Sequence, residues 1–163
     1  SRGILFLPYL NGERTPHRDP DARGVLFGIS STHTEGEAYR CILEGIAYGL
    51  RDSYELIKAL TPIKRLRVVG GGAKNRTWVR IIASNLSTPL ELLETDQGAA
   101  YGAAMLAANG SGLSKEETSR WARVAEVIDP DPLWEKAYRE GFHRYQRLYS
   151  TLKDTFASSI QKT

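Results

Sequence analysis

The sequence predicts an α/β fold with a central mixed sheet flanked by helices, and three observations carry that expectation. Helical and strand-like hydrophobic periods alternate along the chain, which suits neither a bundle nor a sandwich. Over residues 65–76 a strand signal rich in β-branched side chains runs straight into three glycines and then a helix cap. The strand signals are few and short, so a sheet built from them is expected to be mixed.

Each element follows from local chemistry. Ile4, Leu5, Phe6 and Leu7 read as a buried strand interrupted by Pro8. From there to residue 33, Pro8, Gly12, Pro16, Pro20, Gly24 and Gly28 stand too close together for a long helix, leaving loop and short strand. Thr34 and Glu37 have capping-box spacing, and Ala38, Ile42, Ile46, Leu50, Ile57 and Leu60 follow at helical spacing until Thr61-Pro62. Gly45 and Gly49 inside this helix each cost about 1 kcal/mol against Ala, and close backbone packing is the expected reason. Residues 65–69 form a strand, and Asn75 caps a helix over 76–86 with Trp78, Ile81, Ile82 and Leu86 on one face. Residues 89–93 form the next strand. Asp96 is expected to cap a helix over 97–109 that ends at Gly110. Its small residues, Ala99, Ala100, Gly102, Ala103, Ala104, Ala107 and Ala108, predict tight packing on its neighbours. Ser114 and Glu117 make a second capping box, for a short helix to about residue 122. Pro132 opens the last helix, where Trp134, Tyr138, Phe142, Tyr145, Leu148, Tyr149 and Leu152 form a stripe expected in the core.

With 163 residues, 41% of them apolar and 25% charged, the chain has the make-up of one globular domain. Residues 1–33 form a strand and loop lead-in, 34–157 the helices and strands, and 158–163 a tail expected to fray. A domain this size buries roughly 70% of its unfolded surface and needs no staple. Cys41 is the lone cysteine, and His17, His33 and His143 are scattered, so neither a disulfide nor a metal site is expected, and the reducing cytoplasm is the expected compartment. Although the net charge is +3 and the pI about 9.0, no Lys/Arg run or interleaved aromatic strip appears, so nucleic-acid binding is not expected. The longest apolar stretch, residues 99–108, falls far short of the ~20 a membrane helix needs. The chain opens on Ser1 rather than Met, a first hint that it is part of something longer.

The informative unit is the glycine turn. Gly70-Gly71-Gly72 removes every Cβ where the chain leaves the sheet, so a ligand can approach the backbone while the next helix offers unpaired N–H groups to an anion. It is not a Walker A loop. The dinucleotide fingerprint also fails, because Asn75 stands at the third glycine position. Glu94 near the end of the next strand keeps a Rossmann-like, NAD-binding alternative open, and a purely structural turn in a noncatalytic interaction module is another.

Phe6-Leu7-Pro8-Tyr9-Leu10-Asn11-Gly12-Glu13-Arg14-Thr15-Pro16-His17, with Asp19-Pro20 and Ala22-Arg23-Gly24, closely resembles a stretch near the start of the second lobe of xylulokinases. Leu43-Glu44-Gly45-Ile46-Ala47-Tyr48, the run Gly70 to Asn75 with Trp78, and Gly98-Ala99-Ala100-Tyr101-Gly102-Ala103-Ala104 follow in the order and spacing of the FGGY family of carbohydrate kinases. The resemblance covers residues 4–109 well and the rest loosely. It implies the C-terminal, ATP-binding lobe of a two-lobe kinase, with an actin-like ATPase or ribonuclease H-like fold. ATP would lie on Gly71, Gly72 and Ala73, flanked by Lys74 and Asn75, with Arg76 aligned to an adenine-contacting position of glycerol kinases. Ala38 and Cys41 depart mildly from the family pattern.

Phosphoryl transfer also needs a carboxylate base, a phosphate cradle and Mg²⁺. In the family the D-x-G-T phosphate loop and catalytic aspartate precede the recognised region, so no catalytic residue is expected in this chain. Asp96-Gln97-Gly98-Ala99 mimics the loop's start but lacks its hydroxyl residue. Asp19, Asp21 and Asp52 fit no motif, and His17 has no evident partner. The resemblance therefore implies a lobe inactive alone, whose partners are an N-terminal sugar-binding lobe, ATP or ADP, and a sugar. Mg²⁺ would be bound mainly with the missing lobe. D-Xylulose is the expected sugar, with glycerol, gluconate or ribulose as alternatives. A homodimer through the exposed lobe interface is a further expected association.

Overall fold

A computed structural model describes residues 1–95 and 98–159. Strands β1 (Leu5–Leu7) and β2 (Val25–Phe27) pair antiparallel, with Leu5 opposite Phe27 and Leu7 opposite Val25. Helix α1 (Glu35–Leu60) leads to β3 (Leu66–Val68), a single 3-10 turn (Gly71–Lys74), α2 (Arg76–Leu86) and β4 (Leu90–Leu93). Then come α3 (Gly98–Gly110), α4 (Lys115–Ser119), β5 (Val124–Ile128) and α5 (Pro132–Ser159). The second sheet runs β3-β4-β5, with β3 parallel and β5 antiparallel to β4, so it is mixed as expected.

The caps sit where the sequence places them. The Thr34 hydroxyl accepts from Glu37 N at 3.3 Å while the Glu37 carboxylate accepts from Thr34 N at 2.8 Å. Ser114 and Glu117 repeat the arrangement on α4. That helix stops at Ser119, short of residue 122. Strand β5 has no counterpart in the sequence pattern. Val124-Ala125-Glu126-Val127-Ile128 lacks a clean alternation and is largely exposed, so only its pairing with β4 makes it a strand. The expected cap Asp96 and Gln97 lie outside the described residues, as do 160–163 of the tail, while α5 continues to Ser159.

The core lies between α5, α1, β1 and α2. The aromatic stripe of α5 fills it as expected: Tyr138, Phe142, Tyr145, Leu148 and Tyr149 are buried. Tyr145 donates to the Tyr9 hydroxyl at 2.7 Å, which satisfies both phenols inside the core. Gly45 brings α1 against β1: a Cβ there would collide with the Phe6 carbonyl oxygen, which confirms close backbone packing.

One packing expectation fails. Helix α3 has no buried residue, Leu106 is 73% exposed, and the helix packs on α4 rather than burying its small side chains. On α1 the aliphatic stripe faces outward, with Leu50 45%, Ile57 52% and Leu60 86% exposed. The buried face carries Cys41, Glu44, Ala47, Tyr48, Asp52 and Tyr54 instead. Glu44 tolerates burial because it accepts from Arg40 at 2.8 Å and from the Tyr138 hydroxyl at 3.2 Å. Periodicity detects an apolar stripe but cannot say which of two candidate faces finds a partner.

Candidate nucleotide-binding turn

Helix α2 is the anchor of the turn. Val79, Ile81, Ile82, Ala83 and Leu86 bury its inner face, and Arg80 bonds Asp131 at 3.0 Å at the start of α5. Ser84 accepts from the Asp131 backbone N–H at 2.9 Å, a second tie between the same elements. The N-terminus of α2 is thus held in place. Asn75 caps it, its side chain accepting from Trp78 N at 3.1 Å.

The glycines divide the work. Gly70 has φ +89°, a conformation that L side chains rarely adopt, and it reverses the chain out of β3. A Cβ on Gly70 or Gly71 would meet nothing within 4 Å. A Cβ on Gly72 would run into the indole of Trp78, whose Cε3 would lie 2.8 Å away. Hydrogen bonds from Ala73 N to Gly70 O (3.0 Å) and from Asn75 N to Gly72 O (3.1 Å) close the turn. The open backbone surface is therefore Gly70-Gly71, and Gly72 serves the packing of Trp78. Nothing in the spacing of the glycines separates these roles. The bulky Trp78 in the first turn of the following helix was the available signal.

Ala73 is half-buried, and Lys74, Asn75 and Arg76 are exposed beside the turn. The Arg76 guanidinium pairs with Glu126 of β5 at 2.8 Å, so a ligand would have to compete for it. Glu126 was invisible as a partner because β5 was not expected. Glu94, the acid of the dinucleotide alternative, is exposed and its backbone N–H bonds Arg123 O.

The acid and base candidates take structural partners on α5. His17 stacks on Tyr149 with ring centroids 3.7 Å apart and meets the edge of Tyr9. Burial holds its pKa below the usual 6.5, and its Nε2 has no partner among the described residues. Asp19 accepts from the Tyr149 hydroxyl at 2.8 Å and from the backbone of Asp21 and Ala22, bonds that depress its pKa against the opposing effect of desolvation. Asp52 is buried, accepts from Gln146 at 2.9 Å, and has its pKa raised by desolvation. These groups brace the lead-in loop and α1 against α5. Cys41 is a free, buried thiol pushed up to about 11 by burial.

The FGGY family of carbohydrate kinases, C-terminal domain, matches residues 1–110. The xylulose kinase of Bacillus subtilis is 40% identical over 158 residues, which is 94% of this chain and 32% of that protein. The solved xylulose kinase of Rhodospirillum rubrum shares 33% identity with a TM-score of 0.82 over 95% of this chain and 32% of its own. A gluconate kinase structure from Lactobacillus acidophilus shares 29% identity with a TM-score of 0.85 over 96% of this chain and 32% of its own. The chain spans about a third of the length of the relatives it matches.

Proposed function

The chain belongs to the FGGY family of carbohydrate kinases, and on that premise we propose that it is the ATP-binding part of a kinase that phosphorylates D-xylulose to the 5-phosphate. The carrying observation is the backbone at Gly70-Gly71 beside the N-terminus of α2, where an added Cβ would meet nothing within 4 Å. The resemblance-derived set is Gly71, Gly72, Ala73, Lys74, Asn75 and Arg76. Gly71 would admit the nucleotide, Lys74 would supply positive charge to phosphate oxygens, and the α2 N-terminus would offer N–H groups. Gly72 acts one step removed, by letting Trp78 pack behind the turn. In such a kinase the γ-phosphoryl group passes to a sugar hydroxyl, which needs a base and a closed cleft. Both belong to polypeptide outside this third of the relatives.

The kinase reading implies Mg²⁺. Among the described residues no group of three or more His, Cys, Asp or Glu side chains is placed to share a metal. The ion would come with the nucleotide and the N-terminal lobe. None of the described helices is long and apolar enough to cross a membrane. A cytoplasmic kinase is part of the same proposal.

Ligand-observed NMR with ADP, NAD and D-xylulose tests the proposal. ADP is expected to bind selectively, and Gly71→Val to abolish binding without changing the melting temperature. Gly72→Val is expected to lower the melting temperature as well, because it displaces Trp78. Preference for NAD, or ADP binding indifferent to Gly71→Val, would remove the proposal. Gluconate and glycerol in the same assay, with the N-terminal lobe supplied, decide the sugar.

A further inference from the structure

We propose that the loop of residues 11–20 is a binding site for a sugar phosphate, with the phosphate held between Arg14 and Arg18 and the hydroxyls met by Asn11 and Glu13. The inference goes beyond the nucleotide reading and does not depend on it.

The run Asn11-Gly12-Glu13-Arg14-Thr15-Pro16-His17 carries much of the family resemblance, yet it supplies none of the residues of the glycine turn. It folds into a loop with a braced neck. Glu13 N donates to Asp19 O and Asp19 N to Glu13 O, both at 2.8 Å, so the chain returns on itself over residues 14–18. The base of the loop is tied to α5 by the bond from the Tyr149 hydroxyl to Asp19 and by the stack of His17 on Tyr149. A loop fixed at this many points holds its side chains in place before a ligand arrives.

The neck brings two like charges together. Arg18 N donates to Arg14 O at 3.1 Å, which sets the two arginines across from each other. Both line an open cavity of about 790 Å³ together with Asn11, Gly12, Glu13 and Pro20. Like charges opposed across a pair of strands lower stability. The backbone of Arg18 adds to the cost, because its φ of +51° lies in the left-handed region that Gly or Asn occupies more easily. The carboxylates of the loop give no relief. Glu13 accepts from Thr15 N at 2.6 Å, and Asp19 is taken up by Tyr149 and by the backbone N–H groups of Asp21 and Ala22. Nearby Arg23 donates to Pro20 O and Ala22 O, whereas among the described residues neither the Arg14 nor the Arg18 guanidinium has an ion-pair or hydrogen-bond partner. Charge and backbone strain left unrelieved at one cavity are what a bound anion would relieve.

The lining selects the ligand. Two guanidiniums match a dianion, and their forked N–H groups suit the terminal oxygens of a phosphomonoester. Glu13 in the same lining repels a bare phosphate but accepts from a hydroxyl, and the Asn11 amide can donate to a hydroxyl or accept from one. A phosphate joined to a hydroxyl-bearing chain, as in a sugar or polyol phosphate, meets both halves.

NMR titration of the 163-residue chain, read at the arginine Nε–Hε signals and the amides of residues 11–20, tests the proposal. The probes are D-ribose 5-phosphate, D-xylulose 5-phosphate and glycerol 3-phosphate, with inorganic phosphate, D-ribose and ADP as comparators. At least one of the three phosphates is expected to bind saturably and about tenfold more tightly than inorganic phosphate, with D-ribose silent. Arg14→Gln and Arg18→Gln are each expected to weaken that binding by about tenfold, and Glu13→Gln to raise the affinity for inorganic phosphate. Arg18→Gly separates binding from folding. It is expected to lose the ligand at an unchanged melting temperature, because relief of the left-handed backbone offsets the added freedom of the unfolded chain. The inference is overturned by no saturable binding of any of the three, by binding indifferent to Arg14→Gln, or by a melting temperature lowered in Arg18→Gly. Inorganic phosphate binding as tightly as the three would mean an adventitious ion only, and overturns it too. ADP separates the two sources of phosphate. ADP binding lost in Arg14→Gln would assign the arginines to the nucleotide and overturn the inference, whereas ADP binding lost only in Gly71→Val supports two separate sites. Sugar phosphate binding without ADP binding supports this inference while the nucleotide reading fails.

Discussion

Gly45 and Gly49 lie one turn apart on α1, and the structure predicts opposite consequences for giving each a methyl group. Helix propensity favours both Gly→Ala changes by about 1 kcal/mol. At Gly49 the new Cβ would lie 3.4 Å from the Tyr145 hydroxyl and 3.8 Å from Pro8 Cγ, ordinary contacts, so most of that gain should survive. At Gly45 it would collide with the Phe6 carbonyl oxygen and approach Phe6 Cβ to 2.9 Å. The obstacle is backbone on a strand whose Leu5 and Leu7 are locked in the core, so it cannot yield cheaply. Overpacking of this kind costs typically 1–3 kcal/mol. Gly49→Ala is therefore expected to stabilise by up to about 1 kcal/mol and Gly45→Ala to be neutral or destabilising by up to about 2 kcal/mol. The gap of about 2 kcal/mol corresponds to roughly 4–8 °C in melting temperature for a domain this size. Urea denaturation and thermal melts of both variants beside the parent measure it. Equal stabilisation by the two substitutions would refute the claim that α1 rests on β1 at Gly45.

Two further outcomes follow from other parts of the molecule. Burial lowers the pKa of His17 in the folded state, so the unfolded chain takes up the proton first. The resulting stability is fully present above pH 6.5 and is lost as pH falls through the folded pKa. His17→Phe, which keeps the stack on Tyr149, should flatten that slope, and an NMR titration placing His17 at or above 6.5 would count against it. Thr34→Ala removes the hydroxyl that caps α1 and should cost about 1 kcal/mol in urea denaturation. An unchanged midpoint would show that packing alone holds that helix end.

Local chemistry was legible wherever it is self-contained. Capping boxes place their own donors and acceptors within four residues, so Thr34 and Ser114 announced the starts of α1 and α4. The glycine turn was legible because three missing Cβ atoms between a strand and a cap have few other uses. What each glycine does was not, since the indole that claims the space at Gly72 is positioned by the turn of α2. Strand β5 went unseen because its side chains are mostly exposed and carry no period, and with it went the Glu126 partner of Arg76.

The sequence by itself determined the order of the main helices and strands, the aromatic core stripe of α5, the glycine turn and the family to which these belong. Each depends on spacing along the chain or on a motif read in order. Only the tertiary structure decided which face of α1 is buried, that α3 lies exposed, and that His17, Asp19 and Asp52 brace a loop and two helices. Those outcomes depend on what lies across from a residue in space. An apolar stripe such as Ile42, Leu50 and Ile57 reads the same whether it is buried or, as here, exposed.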